Sequence, residues 1–118
     1  MDKKYQTVKI SINDENYPKK LLNIKNPPKE LYVLGNLPDF NKKIVSIVGA
    51  RNCSEYGSTV AKSISKIFSK NNVQVISGLA LGIDTCGHLG ALEVEKPTFA
   101  VLGCGVNICY PTYNHNIY

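Results

Sequence analysis

Three short apolar runs, each followed by glycine, constrain the fold of this chain more than any other feature. The runs are Ile44 to Val48 before Gly49, Val73 to Ile76 before Ser77-Gly78, and Thr98 to Leu102 before Gly103. They are rich in β-branched residues and do not alternate between polar and apolar side chains, which is typical of strands covered on both faces of a parallel sheet. The sequence therefore predicts three buried parallel strands.

A helix is predicted between each pair of these strands. Four apolar residues recur at helical spacing between the first two: Val60, Ile64, Ile67 and Phe68. Asn71-Asn72 suits a left-handed cap at the end of this helix, and Asp84 suits the N-cap of the next, which ends at Lys96-Pro97. Alternation of strand and helix in this order predicts an α/β fold, a Rossmann-like parallel sheet with flanking helices.

The first 42 residues differ in character from the rest. Prolines divide them into two extended segments, Thr7 to Ile12 and Leu31 to Leu34, and a short helix from Tyr17 to Ile24. We expect residues 1–42 to form a leader that packs on the sheet and residues 43–118 to form the first half of a Rossmann-like domain. Since little sequence follows the third strand, we also expect the domain to be truncated and the chain to be a piece of a longer protein.

Charge permits a nucleic-acid partner without establishing one. The chain of 118 residues carries a net charge of +5, but nine lysines and five acidic residues lie within residues 1–43, and residues 44–118 have a balance of only +1. No apolar stretch is long enough to cross a bilayer, and no secretory signal is recognisable at the start. The sequence thus predicts a cytoplasmic protein without a membrane partner.

Cofactor and metal motifs are missing from the sequence. The residues after Val48 lack the second and third glycines of a dinucleotide-binding loop, and no P-loop occurs. The four cysteines have no paired ligand spacing, so that small buried side chains are expected in place of a zinc site. We therefore predict neither a cofactor nor a bound metal.

Anion binding is expected where the predicted strands end, because glycines there let a ligand approach the backbone. Three segments converge at this edge: Gly49 to Asn52, Ser77 to Asp84, and Gly103 to Gly105. Arg51, the only arginine, can hold a phosphate through two hydrogen bonds, or it can pair with Glu55. Gly78 and Gly82 would admit a phosphate to the backbone, or they simply form a tight turn.

Two other groups of residues allow more than one interpretation. Asp84 and His88 share a helix face and can do acid–base chemistry, but a capping and supporting role is favoured because no nucleophile lies beside them. Tyr56, Tyr110 and Tyr113 can stack on nucleic-acid bases or cover the sheet edge.

The sequence resembles the DNA-processing protein A family in four segments that together cover nearly the whole chain. The matching residues lie in Tyr17-Pro18 to Gly35-Asn36, in Ile47-Val48-Gly49-Ala50-Arg51 with Ser54, Tyr56 and Gly57, in Ser77-Gly78-Leu79-Ala80 with Gly82-Ile83-Asp84, His88 and Ala91-Leu92, and in Ala100 to Gly103 with Gly105-Val106 and Tyr110-Pro111. Cys86 and Gly87, where alanine-like residues are expected, and Pro97, where glycine is usual, depart from the family pattern.

The resemblance implies a protein that binds and protects single-stranded DNA and helps to load the RecA recombinase in natural transformation and recombination. It implies a homodimer of the full-length protein, no cofactor and no catalytic activity, with the Gly49-Ala50-Arg51 element on the DNA phosphates. The residues expected to bind DNA are Gly49, Ala50, Arg51, Ser54, Ser77, Gly78 and Gly82. Asp84 and His88 are expected to support them.

An enzyme is the alternative interpretation. Phosphoribohydrolases with a Rossmann fold also place a glycine-rich loop and an arginine at strand ends, and they hydrolyse nucleotides. Their P-G-G-x-G-T-x-x-E element has no counterpart here, because the stretch from Ser77 to Asp84 lacks both the double glycine and the glutamate.

Overall fold

Three parallel strands form the centre of the fold. The computed structural model describes residues 7–102, in which β3 (Ile44–Ser46), β4 (Gln74–Ser77) and β5 (Thr98–Ala100) lie side by side in that order. Ser46 lies opposite Ile76, and Ile76 lies opposite Phe99. The predicted Rossmann-like α/β sheet is confirmed, although β3 and β5 end two residues earlier than the sequence suggested.

Two helices connect these strands and pack against each other beside β4. They are α1 (Glu55–Lys70) and α2 (Ile83–Glu93). A Cβ atom on Gly90 would lie only 2.5 Å from the carbonyl oxygen of Lys62, and Ser65 donates a hydrogen bond to the Gly87 carbonyl. The helices therefore touch through backbone and small side chains, where larger residues would not fit.

This close contact overturns the predicted apolar face of α1. Ile64 and Ile67 are 42% and 61% exposed, whereas Ala61, Ser65 and Ser69 are buried. The apolar spacing correctly indicated a helix, but it marked the wrong face, because the packing against α2 selects residues by size. The predicted left-handed cap is confirmed, since Asn72 follows the helix with a φ of 61°.

The two faces of the sheet are covered unequally within residues 7–102. Val75 of β4 is fully buried beneath the helices, and Thr98 on the same face bonds to His88 of α2. Val48 and Val101, beyond the ends of β3 and β5, are each 68% exposed. The prediction that both faces are buried is wrong for the described residues, because α1 and α2 lie on one face.

The leader forms a small antiparallel sheet of its own. β1 (Thr7–Ser11) pairs with β2 (Glu30–Leu34), and a 3-10 helix (Lys19–Asn23) lies between them. The two extended segments are confirmed, and the helix is shorter and more tightly wound than predicted. The following segment reaches the main sheet through Gln74, whose side chain bonds both the N–H and the carbonyl of Asp39 at 2.7 Å. The domain division after residue 42 stays a prediction.

Among residues 7–102, no helix is long and apolar enough to cross a membrane. In the same range, His, Cys, Asp and Glu side chains form no group of three or more that is suited to hold a metal ion.

Candidate nucleic-acid interface

Two turns meet at the edge where β3 and β4 end. We call residues 49–53 the rim loop and residues 78–82 the rim turn. A Cβ atom on Gly82 would lie 2.3 Å from the carbonyl oxygen of Ala50, and Ile83 donates its N–H to that oxygen at 3.2 Å. The structure thus brings the Gly49-Ala50-Arg51 element directly against Gly82 and the start of α2.

Asp84 ties these two turns together. Its carboxylate is buried, with Oδ1 accepting the Gly49 N–H at 3.3 Å and Oδ2 accepting the Gly78 N–H at 3.1 Å. The predicted N-cap role is wrong: Gly82 holds the N-cap position, and the Asp84 side chain bonds to neighbouring turns outside its own helix. The amides of Gly49 and Gly78 are therefore satisfied by the protein.

Gly82 of the rim turn and Ser77, just before it, are also engaged by the chain itself. Gly82 has a φ of +83°, a region that side chains disfavour, and its lack of a Cβ allows the contact with Ala50 and Arg51. Ser77 is buried and donates its hydroxyl hydrogen to the Ile47 carbonyl. In this arrangement both residues shape the edge from the inside.

Arg51, by contrast, lies on the outside of the rim loop. The residue is exposed, and within residues 7–102 it forms no ion pair, so the alternative pairing with Glu55 does not occur. No hydrogen bond in the same range uses the backbone N–H of Arg51, Asn52 or Cys53. One guanidinium and three backbone amides on this short loop are thus without a partner among residues 7–102, and such groups are the donors that anions accept from in proteins.

The first turn of α1 continues this exposed surface. Ser54 is the N-cap, and its Oγ accepts the Gly57 N–H at 3.0 Å. A Cβ atom on Gly57 would lie 3.6 Å from Ile83, which shows how close the first turns of the two helices lie. Tyr56 is 80% exposed. Ser54 therefore fixes the start of a helix whose outer side faces solvent.

Asp84 and His88 bond to different parts of the protein. His88 is buried, and its Nδ1 lies 2.8 Å from the hydroxyl of Thr98, which itself donates to the Val75 carbonyl. His88 must therefore donate through Nδ1, and its buried Nε2 has no partner within residues 7–102. Burial lowers the pKa of His88, while the charge of Asp84 acts in the opposite direction. These contacts join α2 to β4 and β5, and the supporting role of His88 in a binding site stays a prediction.

A shallow concavity of about 250 Å³ lies beside Asp84 on the open face of the sheet. Its lining residues are Ser46, Val48, Ile76, Ser77, Gly78, Asp84 and Val101. Sequence reasoning missed this feature because it treated the strands as buried on both faces. Of the other residues singled out from the sequence, Gly103 to Gly105, Tyr110 and Tyr113 lie outside the described residues.

A parallel sheet with helices on one face and an exposed guanidinium at the strand ends defines a Rossmann-like α/β protein with a site suited to anions. Residues 8–118 match the model of the DNA recombination-mediator protein A family. The chain belongs to this family, as its resemblance to DNA-processing protein A implied.

Individual relatives agree with this assignment. DNA processing protein DprA of Streptococcus pneumoniae is 39% identical over 92% of this chain, and Protein Smf of Borreliella burgdorferi is 36% identical over 87%. The chain spans only 38% and 33% of the lengths of these two relatives.

Two solved structures share the fold. The crystal structure of DNA processing protein A from S. pneumoniae superimposes with a TM-score of 0.83 and 35% identity, over 98% of this chain and 40% of that one. DNA processing protein A from Helicobacter pylori, described for its unique single-stranded DNA binding mode, superimposes with a TM-score of 0.79 and 30% identity, over 99% of this chain and 52% of that one.

Proposed function

We propose that this chain contributes a phosphate-binding surface to a protein that holds single-stranded DNA and catalyses no reaction on it. The observation that carries the proposal is Arg51, exposed and without an ionic partner within residues 7–102, on a loop that Asp84 and Gly82 hold in place. Family membership supports the same conclusion, as does the single-stranded DNA binding of the H. pylori relative.

The position of Asp84 supports an approach of the DNA from the side of the loop that bears Arg51. Its carboxylate occupies the inner side, where it takes the amides of Gly49 and Gly78 and would repel a phosphate. Arg51 is exposed on the same loop, and no hydrogen bond within residues 7–102 uses the backbone N–H of Arg51, Asn52 or Cys53. We therefore assign the direct contacts to Arg51 and Ser54, and a supporting role to the other residues expected to bind DNA: Gly49, Ala50, Ser77, Gly78 and Gly82.

A fixed loop makes the guanidinium more effective. Arginine presents a planar fork that matches two phosphate oxygens, and less freedom is lost on binding when the backbone beneath it is already ordered. The contacts of Ala50 with Ile83 and Gly82 provide that order. Because a guanidinium bound to a phosphate recognises no base edge, we expect similar affinity for DNA strands of different sequence.

The wider role follows from the family and extends beyond the described residues. We propose that the protein acts on incoming DNA in transformation and recombination, protects it, helps to load RecA, works as a homodimer and resides in the cytoplasm. These proposals rest on family membership, since the chain spans 38% or less of the curated relatives described above. Nucleotide hydrolysis is disfavoured. Asp84 is the best candidate for its general base, but both carboxylate oxygens of Asp84 already accept hydrogen bonds from backbone amides.

The test is a titration of this chain with labelled single-stranded and double-stranded oligonucleotides, followed by fluorescence anisotropy at about 50 and 200 mM salt. We expect Arg51→Ala to weaken single-strand binding about tenfold or more. The slope of log affinity against log salt concentration should become shallower by about one unit, because one fewer counterion is released. Arg51→Lys should recover only part of the affinity, since lysine lacks the planar fork.

Lys70→Ala is the matched control. It removes one positive charge from the last residue of α1, about 22 Å from the start of the helix. Its affinity should stay within about threefold of that of the original chain, because exposed charges this far apart are screened. Equal losses of affinity in the two variants would show that the protein attracts DNA by its overall charge and has no specific site at Arg51. Unchanged affinity of Arg51→Ala would show that Arg51 does not contact the DNA.

A further inference from the structure

Tyr56 is the most exposed large hydrophobic side chain in residues 7–102. Its exposed fraction is 80%, whereas Val48 and Val101 follow at 68% and Tyr32 is at 58%. The Tyr56 hydroxyl forms no hydrogen bond with any of the described residues. The ring and its polar end are therefore both free to contact a ligand.

The backbone beneath this ring is fixed. Tyr56 occupies the second position of α1, between the N-cap Ser54 and Gly57, whose N–H the cap accepts. The same turn packs close to Ile83 at the start of α2. A tyrosine on ordered backbone has only two side-chain torsions left to restrict, so contact with a flat ligand costs little conformational entropy.

The chemistry around Tyr56 favours a ligand that combines negative charge with aromatic rings. The rim loop ends immediately before Ser54 and brings the guanidinium of Arg51 and unused backbone amides to the same edge of the sheet. Phosphates suit the amides and the guanidinium, and a tyrosine ring suits a base. A single strand offers both groups in every nucleotide, whereas the bases of a duplex are already stacked on one another.

We propose that Tyr56 stacks on a base of a single strand whose phosphate contacts Arg51. This inference rests on the function proposed above and adds to it the group that distinguishes single strands from duplexes. Stacking uses the flat face that every base possesses, so the contact tolerates any sequence. It needs the ring and not the hydroxyl.

The closing experiment uses the absence of tryptophan from the chain. Tyr56→Trp places a single indole at the proposed contact, and Tyr32→Trp places one at an exposed site on β2 of the leader. Titration with oligothymidine should quench the indole at position 56 and leave the indole at position 32 nearly unchanged. Anisotropy of a labelled oligonucleotide, recorded in parallel, reports binding independently of the indole.

Two further variants test the energetic contribution of the ring. Tyr56→Ala should weaken binding of oligothymidine about tenfold, whereas Tyr56→Phe should bind as the original chain does. An abasic oligonucleotide of the same length should lose no affinity on Tyr56→Ala. The salt dependence should also be unchanged in this variant, in contrast to Arg51→Ala, because the ring displaces no counterion.

The outcomes separate this inference from the function on which it rests. Binding without quenching at position 56, or equal weakening of abasic and base-bearing strands by Tyr56→Ala, would overturn stacking and leave phosphate binding in place. Quenching confined to the base-bearing strand, together with normal binding by Tyr56→Phe, would establish it. Absence of binding by the original chain to any single strand would overturn both proposals.

Discussion

The two helices begin at the same edge of the sheet, but their first turns differ. At the start of α2, the N–H of Ile83 bonds to Ala50, the N–H of Thr85 bonds to Ala80, and Asp84 is buried between the turns. At the start of α1, one amide is capped by Ser54, and the N–H groups of Arg51, Asn52 and Cys53 have no hydrogen-bond partner within residues 7–102. The start of α2 is thus occupied by contacts within the protein, and the start of α1 is the one that we propose faces the DNA.

This difference teaches that glycine after a strand does not by itself indicate a ligand site. Both turns contain glycine and both lead into a helix, yet both glycines accommodate the protein itself: Gly82 the backbone of Ala50 and Gly49 the side chain of Ile83. The distinguishing feature is the acidic residue in the first helical turn. Asp84 is buried and directed at neighbouring amides, whereas Glu55 is exposed. An anion can bind only where the protein has not supplied its own.

The strongest test of the comparison is Gly82→Ala. The new Cβ would lie 2.3 Å from the carbonyl oxygen of Ala50 and 2.4 Å from that of Arg51, on a backbone with a φ of +83°. We expect the free energy of unfolding to fall by about 3 kcal/mol or more, because backbone strain and overlap with the rim loop add. Urea unfolding followed by circular dichroism measures this loss.

Gly35→Ala separates the two causes. Gly35 has a nearly identical φ of +87°, but an added Cβ would meet no atom within 4 Å. The loss there should be only about 1–2 kcal/mol, from backbone strain alone. Equal losses at the two positions would show that the contact between the rim turn and the rim loop adds no stability.

The next largest effect is expected for Asp84→Asn, which keeps the shape of the side chain. The N–H of either Gly49 or Gly78 would keep an oxygen as its acceptor. The N–H of the other glycine would face the new NH₂ group and would have no acceptor. We expect a loss of about 2 kcal/mol for the unsatisfied buried donor, together with weaker single-strand binding as the rim loop loosens. Thermal unfolding and the anisotropy titration measure the two effects.

Asp14→Asn is the control for this change. Asp14 also accepts a backbone amide, that of Ser11 at 2.8 Å, but it does so at an exposed position with one oxygen. Asparagine can accept the same bond, so stability should change by no more than about 0.5 kcal/mol. A loss at Asp84 as small as that at Asp14 would contradict the proposed link between the turns.

The sequence predicted the parallel sheet, its helices and the edge where the turns meet, because strand composition and glycine placement are local signals. It did not predict the partners of Asp84, which lie 35 and six positions away along the chain. A carboxylate at a helix start usually caps that helix, and only the packed fold shows that two other amides lie closer. The one signal that the sequence offered for these bonds was the position of Asp84, an acidic residue that follows both glycine-containing turns.

The face of α1 was misjudged for a related reason. Apolar spacing indicated Ile64 and Ile67 as core residues, whereas the buried contact is made by Ala61 and Ser65. Gly87 and Gly90 on α2 were the missing clue, since two glycines on one helix allow a neighbouring backbone to approach closely. Apolar pattern predicts burial only where the packing distance leaves room for large side chains.

A smaller, pH-dependent effect is expected on the interior side of α2. Burial, partly offset by Asp84, lowers the pKa of His88 in the folded protein below its unfolded value of about 6.5. The unfolded chain therefore binds more protons as the pH falls below that value. Stability that is present above about pH 6.5 should be lost toward the folded pKa, by at most about 1.4 kcal/mol per pH unit.

Urea unfolding of the original chain and of His88→Gln, at about pH 7.5 and 5.5, measures this contribution. The substitution should remove part of the pH dependence even if it lowers stability at neutral pH, since all other titrating groups are shared. Parallel pH profiles for the two proteins would mean that Nε2 of His88 accepts a proton in the folded protein without a loss of stability.

The smallest effect is expected at the open helix start. Ser54→Ala removes the acceptor of the Gly57 N–H and should lower the free energy of unfolding by about 1 kcal/mol, while Ser54→Asp should restore it. Ser63→Ala, at an exposed position in the middle of α1, should leave stability nearly unchanged. If the rim loop is held mainly from the α2 side, Ser54→Ala should weaken oligonucleotide binding less than Asp84→Asn does. The reverse order would mean that Ser54, through its cap or through its own contact with the DNA, contributes more to binding than the carboxylate beneath the loop.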